Sequence, residues 1–293
     1  MTAWLSYATV SVVWGSTFLA IAWAIDAFTP FGLSAARFIP AGVCVLLLAR
    51  ARREPLPSLR ALPHLALPGV LLLTVCMALI AVAERRVASG VAAAISATVP
   101  LFLGVMEPRG LGARGWLGLT VGFVGVLVLL WPAGAGPDLA GSLLLVTSAA
   151  VWAFGTLYGR RHAAGVGHFT RVGTEMLAGG LTSLVAALVT GGVTHAPLEL
   201  HSAAALGYLL VFGSILAYSA YLHLTTAWPP ARAGTYAYWN PVIGVVLGCL
   251  LRGEPLHARS VPGLLLILAG VATMELPSWP ALARPGRPSA ARE

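Results

Sequence analysis

Residues 63–83 read PHLALPGVLLLTVCMALIAVA, a run with no Asp, Glu, Lys or Arg in it. A helix needs about 20 mostly apolar residues to cross a hydrocarbon core of ~30 Å. In that core it satisfies its backbone N–H and C=O groups internally. Similar blocks lie on either side, at 3–25, 31–49, 87–106, 112–131, 139–160, 171–191, 203–227, 232–251 and 258–277. The expected fold is an all-α integral membrane protein with ten transmembrane helices. Composition agrees, because 58% of the residues are apolar and only 10% are charged. A water-facing shell needs roughly 25% charged residues.

The basic residues are all Arg, a usage expected of GC-rich bacterial coding. They fall in the breaks between apolar blocks and form no single basic face, which argues against nucleic acid as a partner. With the N-terminus placed in the cytoplasm, thirteen Arg lie in cytoplasmic segments and four, Arg85, Arg86, Arg252 and Arg259, lie outside. The positive-inside rule therefore predicts both termini in the cytoplasm of a bacterial inner membrane. The first block has no basic region before it and reads as a retained helix, not a cleaved signal. Cys44, Cys76 and Cys249 sit inside apolar blocks without CxxC spacing, so no disulfide, metal or cofactor is expected.

The two halves of the chain echo each other. Val13-Trp14-Gly15-Ser16-Thr17 is matched by Val151-Trp152-Ala153-Phe154-Gly155-Thr156. Ala97-Thr98-Val99-Pro100 is matched by Trp239-Asn240-Pro241, each followed by a Glu-Pro pair, Glu107-Pro108 and Glu254-Pro255. Five helices per repeat is an odd number, so the second copy must enter the membrane upside down. Residues 1–137 and 138–280 are the expected inverted five-helix repeats, and 281–293 an expected disordered cytoplasmic tail. Inverted repeats give a transporter two similar states, one open to each side.

The same residues resemble the EamA-like permeases of the drug/metabolite transporter superfamily. The resemblance runs through Trp14-Gly-Ser-Thr-Phe18, Ala36-Arg37-Phe38, Gly122-Phe-Val-Gly-Val126, Gly213-Ser214 with Tyr218, Asn240-Pro241 and Arg252-Gly-Glu254. It implies two inverted five-helix repeats and movement of small metabolites, often amino acids or related compounds. One departure stands out: Pro100 precedes Glu107 by seven residues, whereas Pro241 precedes Glu254 by thirteen. The segment around the fourth helix is short relative to its counterpart.

Arg37 lies about two turns into its helix, a depth at which a cation faces a cavity or a partner, or else snorkels outward. It is the candidate reader of a substrate carboxylate. Glu175 has Arg171 four positions before it on the same helix face, the spacing of an ion pair; coupling is the alternative role. Tyr238, Trp239 and Asn240 precede Pro241, whose ring frees a backbone carbonyl and kinks a helix. They are candidate pocket residues, with Tyr236 ranked below them. Trp14 with Thr17, and Trp152 with Thr156, are expected on opposite walls of a central cavity, or as helix packing through Gly15 and Gly155. Tyr218 joins this set, and Pro100 and Pro241 are candidate kinks for gating. No HExxH, GxSxG or paired catalytic carboxylates occur, so an enzyme is not expected. A transporter of a small organic solute, with export as its direction, is the leading reading. A lipid-modifying membrane enzyme and a non-transporting scaffold are the alternatives. The expected partners are the solute, the bilayer and, as a homodimer, a second copy of the chain.

Overall fold

A computed structural model describes residues 2–87, 92, 95–108, 111–129, 138–252 and 260–275, without the side chains at 129, 244, 245, 248, 249, 251, 252, 260 and 275. Among these the chain is helical, with one isolated antiparallel bridge, Phe28 to Thr194. The helices are α1 (Ala3–Ala24), α2 (Pro30–Ala51), α3 (Leu62–Ala83), α4 (Val99–Met106), α5 (Ala113–Leu129) and α6 (Leu139–His162). They continue with α7 (His168–Thr190), α8 (Leu200–Ala227), α9 (Pro230–Gly234), α10 (Tyr236–Arg252) and α11 (Ser260–Glu275). Six of them, α1, α2, α3, α6, α7 and α8, are long and apolar enough to cross a membrane, and α5 and α11 are shorter apolar helices. Glu254, Pro255, Arg109 and the tail 281–293 lie outside the described residues, as does the expected boundary at 137.

Local chemistry fixes the helix starts. The Thr29 hydroxyl accepts from Gly32 N at 3.0 Å with Pro30 in the first turn, and Asp138 accepts from Gly141 N at 2.6 Å. α7 stops at Gly191, whose φ of 129° suits glycine. Large apolar side chains such as Leu47, Leu127, Phe154, Val185 and Leu265 face outward, as a lipid-facing surface requires. Where helices cross, glycine replaces side chains. A Cβ on Gly270 of α11 would lie 2.3 Å from the Gly122 nitrogen of α5, and one on Gly180 of α7 would lie 2.8 Å from the Ile39 nitrogen of α2.

Two features are absent from the simple spans. α3 and α8 each contain a π-type segment, Val70–Cys76 and Leu209–Leu216, at corresponding places in the two halves. Such segments are rare and recur at functional sites. The blocks expected as continuous helices at 87–106 and 232–251 are interrupted, at Ala97-Thr98 and at Thr235. At each break a Thr hydroxyl bonds back to a carbonyl three residues earlier, Thr98 to Ile95 and Thr235 to Arg232, both at 2.8 Å. Pro100 stands in the first turn of α4, where it starts a helix instead of kinking one, while Pro241 lies inside α10. The broken segments meet: a Cβ on Gly234 would lie 2.7 Å from Leu103 Cδ1 and 3.2 Å from Pro100 Cα.

A central cavity between the two halves

The helices frame a central cavity, a concave site of the kind that takes small molecules. Its walls come from both halves of the chain: α1, α2, α3 and the start of α4 from the first, α6, α8 and α10 from the second. Most lining side chains are apolar or aromatic, and the polar groups among them are few and fixed.

Arg37 is the only formal charge among the lining residues. Its side chain is buried, and its Nε donates to Ser214 Oγ at 3.0 Å. The guanidinium carbon stands 4.5 Å from the centre of the Phe38 ring, which supplies cation–π attraction. Ser214 in turn donates to the Leu209 carbonyl at 3.0 Å, within the π segment of α8. Four residues on, Gly213 O accepts from Trp14 Nε1 at 3.0 Å. A Cβ at Gly213 would stand 3.2 Å from an Arg37 terminal nitrogen and 3.1 Å from Thr17 Cγ2, so glycine makes room for the cation. Among the described residues no carboxylate pairs with Arg37. A buried cation on a cavity wall without a protein counter-ion is suited to an anionic group on a ligand.

Asn240 lies across the sequence on α10, and its buried Oδ1 has no hydrogen-bond partner among the described residues. Buried acceptors are normally satisfied, so this oxygen is available to a ligand donor. Trp14 and Trp152 do not face each other across the space. They pack edge to face at 5.3 Å and share one wall, with Tyr236 5.1 Å from Trp14. Behind them Trp152 donates to the Tyr221 hydroxyl at 2.9 Å, and Thr156 hydrogen-bonds that same hydroxyl. The packing expected through the glycines is present too. A Cβ on Gly15 would strike Ile243, and one on Gly155 would strike Leu72.

Of the sequence candidates, Trp14, Thr17, Arg37, Trp152, Tyr218 and Asn240 line the cavity, while Thr156, Tyr238 and Trp239 lie elsewhere. Tyr238 donates to Leu119 O at 2.8 Å and fills the space over Gly122; Trp239 Nε1 donates to the Tyr7 hydroxyl at 3.0 Å. Helical geometry is the reason. Residues 236, 237 and 240 share a face, and the intervening 238 and 239 are rotated away from it. Tyr236, ranked low from sequence, is therefore a cavity residue, as are Phe18, Met77, Ile80 and Ser96.

Glu175 sits one layer behind the cavity, fully buried. Arg171 Nε donates to one carboxyl oxygen at 2.8 Å, and the Tyr218 hydroxyl donates to the other. The Tyr218 ring faces the cavity while its hydroxyl is held by this acid. At one rim of the molecule Glu107 receives Arg161 at 3.2 Å and Arg160 at 3.8 Å, which ties the end of α4 to the end of α6.

A helical chain with several membrane-capable spans and a sparsely polar cavity built from both halves has the architecture of a membrane transport protein. The EamA-like transporter family model matches residues 2–131 and again 139–276, and the chain belongs to that family. Of its relatives, the protein named uncharacterized inner membrane transporter YedA of Escherichia coli (strain K12) is 38% identical over 249 residues, 84% of this chain and 81% of that protein. An uncharacterized transporter of Archaeoglobus fulgidus is 23% identical over 92% of this chain and 98% of its own length. A crystal structure of a chain 20% identical superposes with a TM-score of 0.76, covering 93% of this chain and 96% of that one. The protein is a multi-pass membrane protein of this transporter family.

Proposed function

We propose that the chain carries a small amino acid with an apolar or aromatic side chain, by alternating access around the central cavity. The observation that carries this reading is the pairing of an unneutralised cation, Arg37, with an unsatisfied acceptor, Asn240 Oδ1, in a ring-lined pocket. Arg37 meets the substrate carboxylate, Asn240 accepts from its ammonium, and Trp14, Trp152 and Tyr236 receive the side chain. Net flux is outward and both termini lie in the cytoplasm, in line with the Arg-rich segments between helices.

The reading includes two inverted repeats, 1–137 and 138–280, that exchange roles when the cavity opens to the opposite side. The two π segments, the two broken helices that meet at Gly234 and the double family match support it. Discontinuous helices in both halves are the usual pointer to a midplane substrate site.

Blocking the cavity tests this placement. Ser96 lines it, so Ser96→Cys in a background with Cys44, Cys76 and Cys249 changed to Ala should react with a thiol reagent. Reaction should abolish solute exchange in proteoliposomes, and bound solute should slow the reaction several-fold. Complete labelling with full exchange would place the pathway elsewhere.

A further inference from the structure

The face of α3 that lines the cavity carries Leu73, Met77 and Ile80. The next residue in that helical series is Glu84, four positions past Ile80 and directly after the last residue of the span Leu62–Ala83. Its neighbours in sequence, Ile80, Ala83 and Val87, belong to one buried apolar cluster with Phe18 of α1. Both Glu84 carboxyl oxygens are shielded from solvent and neither has a hydrogen-bond partner among the described residues. An ionised carboxylate without partners in apolar surroundings is costly, and such a group relieves the cost by taking up a proton.

Resting on the transport reading above, we propose that Glu84 is a proton-binding site at this end of the cavity, exchanging its proton with water only when that end opens, and coupling solute movement to a proton gradient. The carboxylate takes one proton from water on one side to become the neutral acid. After the cavity reopens it returns that proton to water on the other side, while the solute travels the opposite way.

The surrounding charges leave this role to Glu84. Asp138, at the start of α6, is exposed and bridged to Arg86 at 3.8 Å; Arg85 is exposed as well. Asp26, beyond α1, contacts His201 at 3.4 Å. Arg37 on α2 is held by Ser214 and Phe38, and Cys44 and Cys76 are the thiols on α2 and α3. Arg50, His64, Tyr158, Arg160, Arg161 and His162 lie at the opposite ends of these helices. Burial pushes the Glu84 carboxyl well above the usual carboxylate range. In α8 the residue equally far past the start of its π segment is His223, bonded to Ser6 at 2.9 Å near the opposite end of α1, so the two halves place titratable groups at opposite ends.

Infrared difference spectroscopy on the whole protein in lipid nanodiscs, with the proton as the only ligand, tests the site. Wild type should show a protonated-carboxyl band that titrates clearly above the ordinary glutamate range. Glu84→Gln should lack that band and Glu84→Asp should keep a shifted one. In proteoliposomes the ratio of pH-gradient-driven accumulation to counterflow should fall at least tenfold in Glu84→Gln. A band that survives Glu84→Gln, a titration in the ordinary glutamate range, or an unchanged ratio would overturn the proposal. The spectroscopy needs no solute. A wild-type protein that titrates as expected yet exchanges no solute would sink the transport reading and leave the proton site standing.

Discussion

Arg37→Ala is expected to cost about 2–5 kcal/mol of affinity for carboxylate-bearing solutes, a loss of roughly 30-fold to several thousand-fold in exchange at low concentration. The magnitude follows from where the cation sits. Ser214 and Phe38 hold the guanidinium, no described acid neutralises it, and the surrounding wall is mostly apolar. In such a setting a charge-assisted contact is not diluted by water. Arg37→Lys keeps the charge and loses the planar fork, so it should recover only part of the affinity. An amine of the same shape lacking the carboxylate should be affected little. Competition against a labelled amino acid in proteoliposomes reads all three. Equal losses for acid and amine would make Arg37 a structural residue.

Glu175→Ala should destabilise the folded protein by about 3–5 kcal/mol, because it leaves Arg171 charged and without its partner in a buried site. The Tyr218 hydroxyl loses its acceptor as well, which loosens one wall of the cavity. Arg171→Ala should cost a similar amount. The double replacement should cost less than the sum of the single ones, since removing both charges also removes their desolvation penalty. Unfolding of purified protein in mild detergent measures each variant. Single replacements that cost under about 1 kcal/mol would show the pair to be solvated in the native state.

Six of the ten expected spans were legible, 63–83 and 171–191 among them, because a bilayer imposes length and apolarity on such helices. What the apolar blocks concealed was their interruption. A run such as 87–106 looks continuous in composition, and the break at Ala97-Thr98 depends on a hydroxyl turning back on the chain and on Pro100 starting a new helix. The same holds at Thr235, where nothing in the hydropathy marks a stop. The two π segments left no compositional trace.

The candidate site was legible where one residue type carries the cost. Arg37 is conspicuous because a cation in a span is expensive, and the Arg171–Glu175 pair follows from i,i+4 spacing alone. Tyr218, forty-three positions away, joins that pair only through the fold. Adjacent aromatics misled the reading of α10: rotation by ~100° per residue sends Tyr238 and Trp239 into helix packing and brings Tyr236 to the cavity. Glu84 went unseen from sequence because it falls one residue beyond a predicted span, beside two Arg residues that suggest a solvated loop. Only the coordinates show that its oxygens are covered.

The most direct test of the central claim is counterflow with the wild-type protein. Proteoliposomes loaded with unlabelled L-phenylalanine, L-leucine or L-threonine are diluted into trace labelled L-phenylalanine, with phenethylamine and phenylacetate as competitors. The cavity described here predicts saturable exchange in which amino acids compete well and each single-charge competitor poorly, because Arg37 and Asn240 both require a partner. Exchange confined to solutes without a carboxylate, or no exchange with any amino acid, would contradict it.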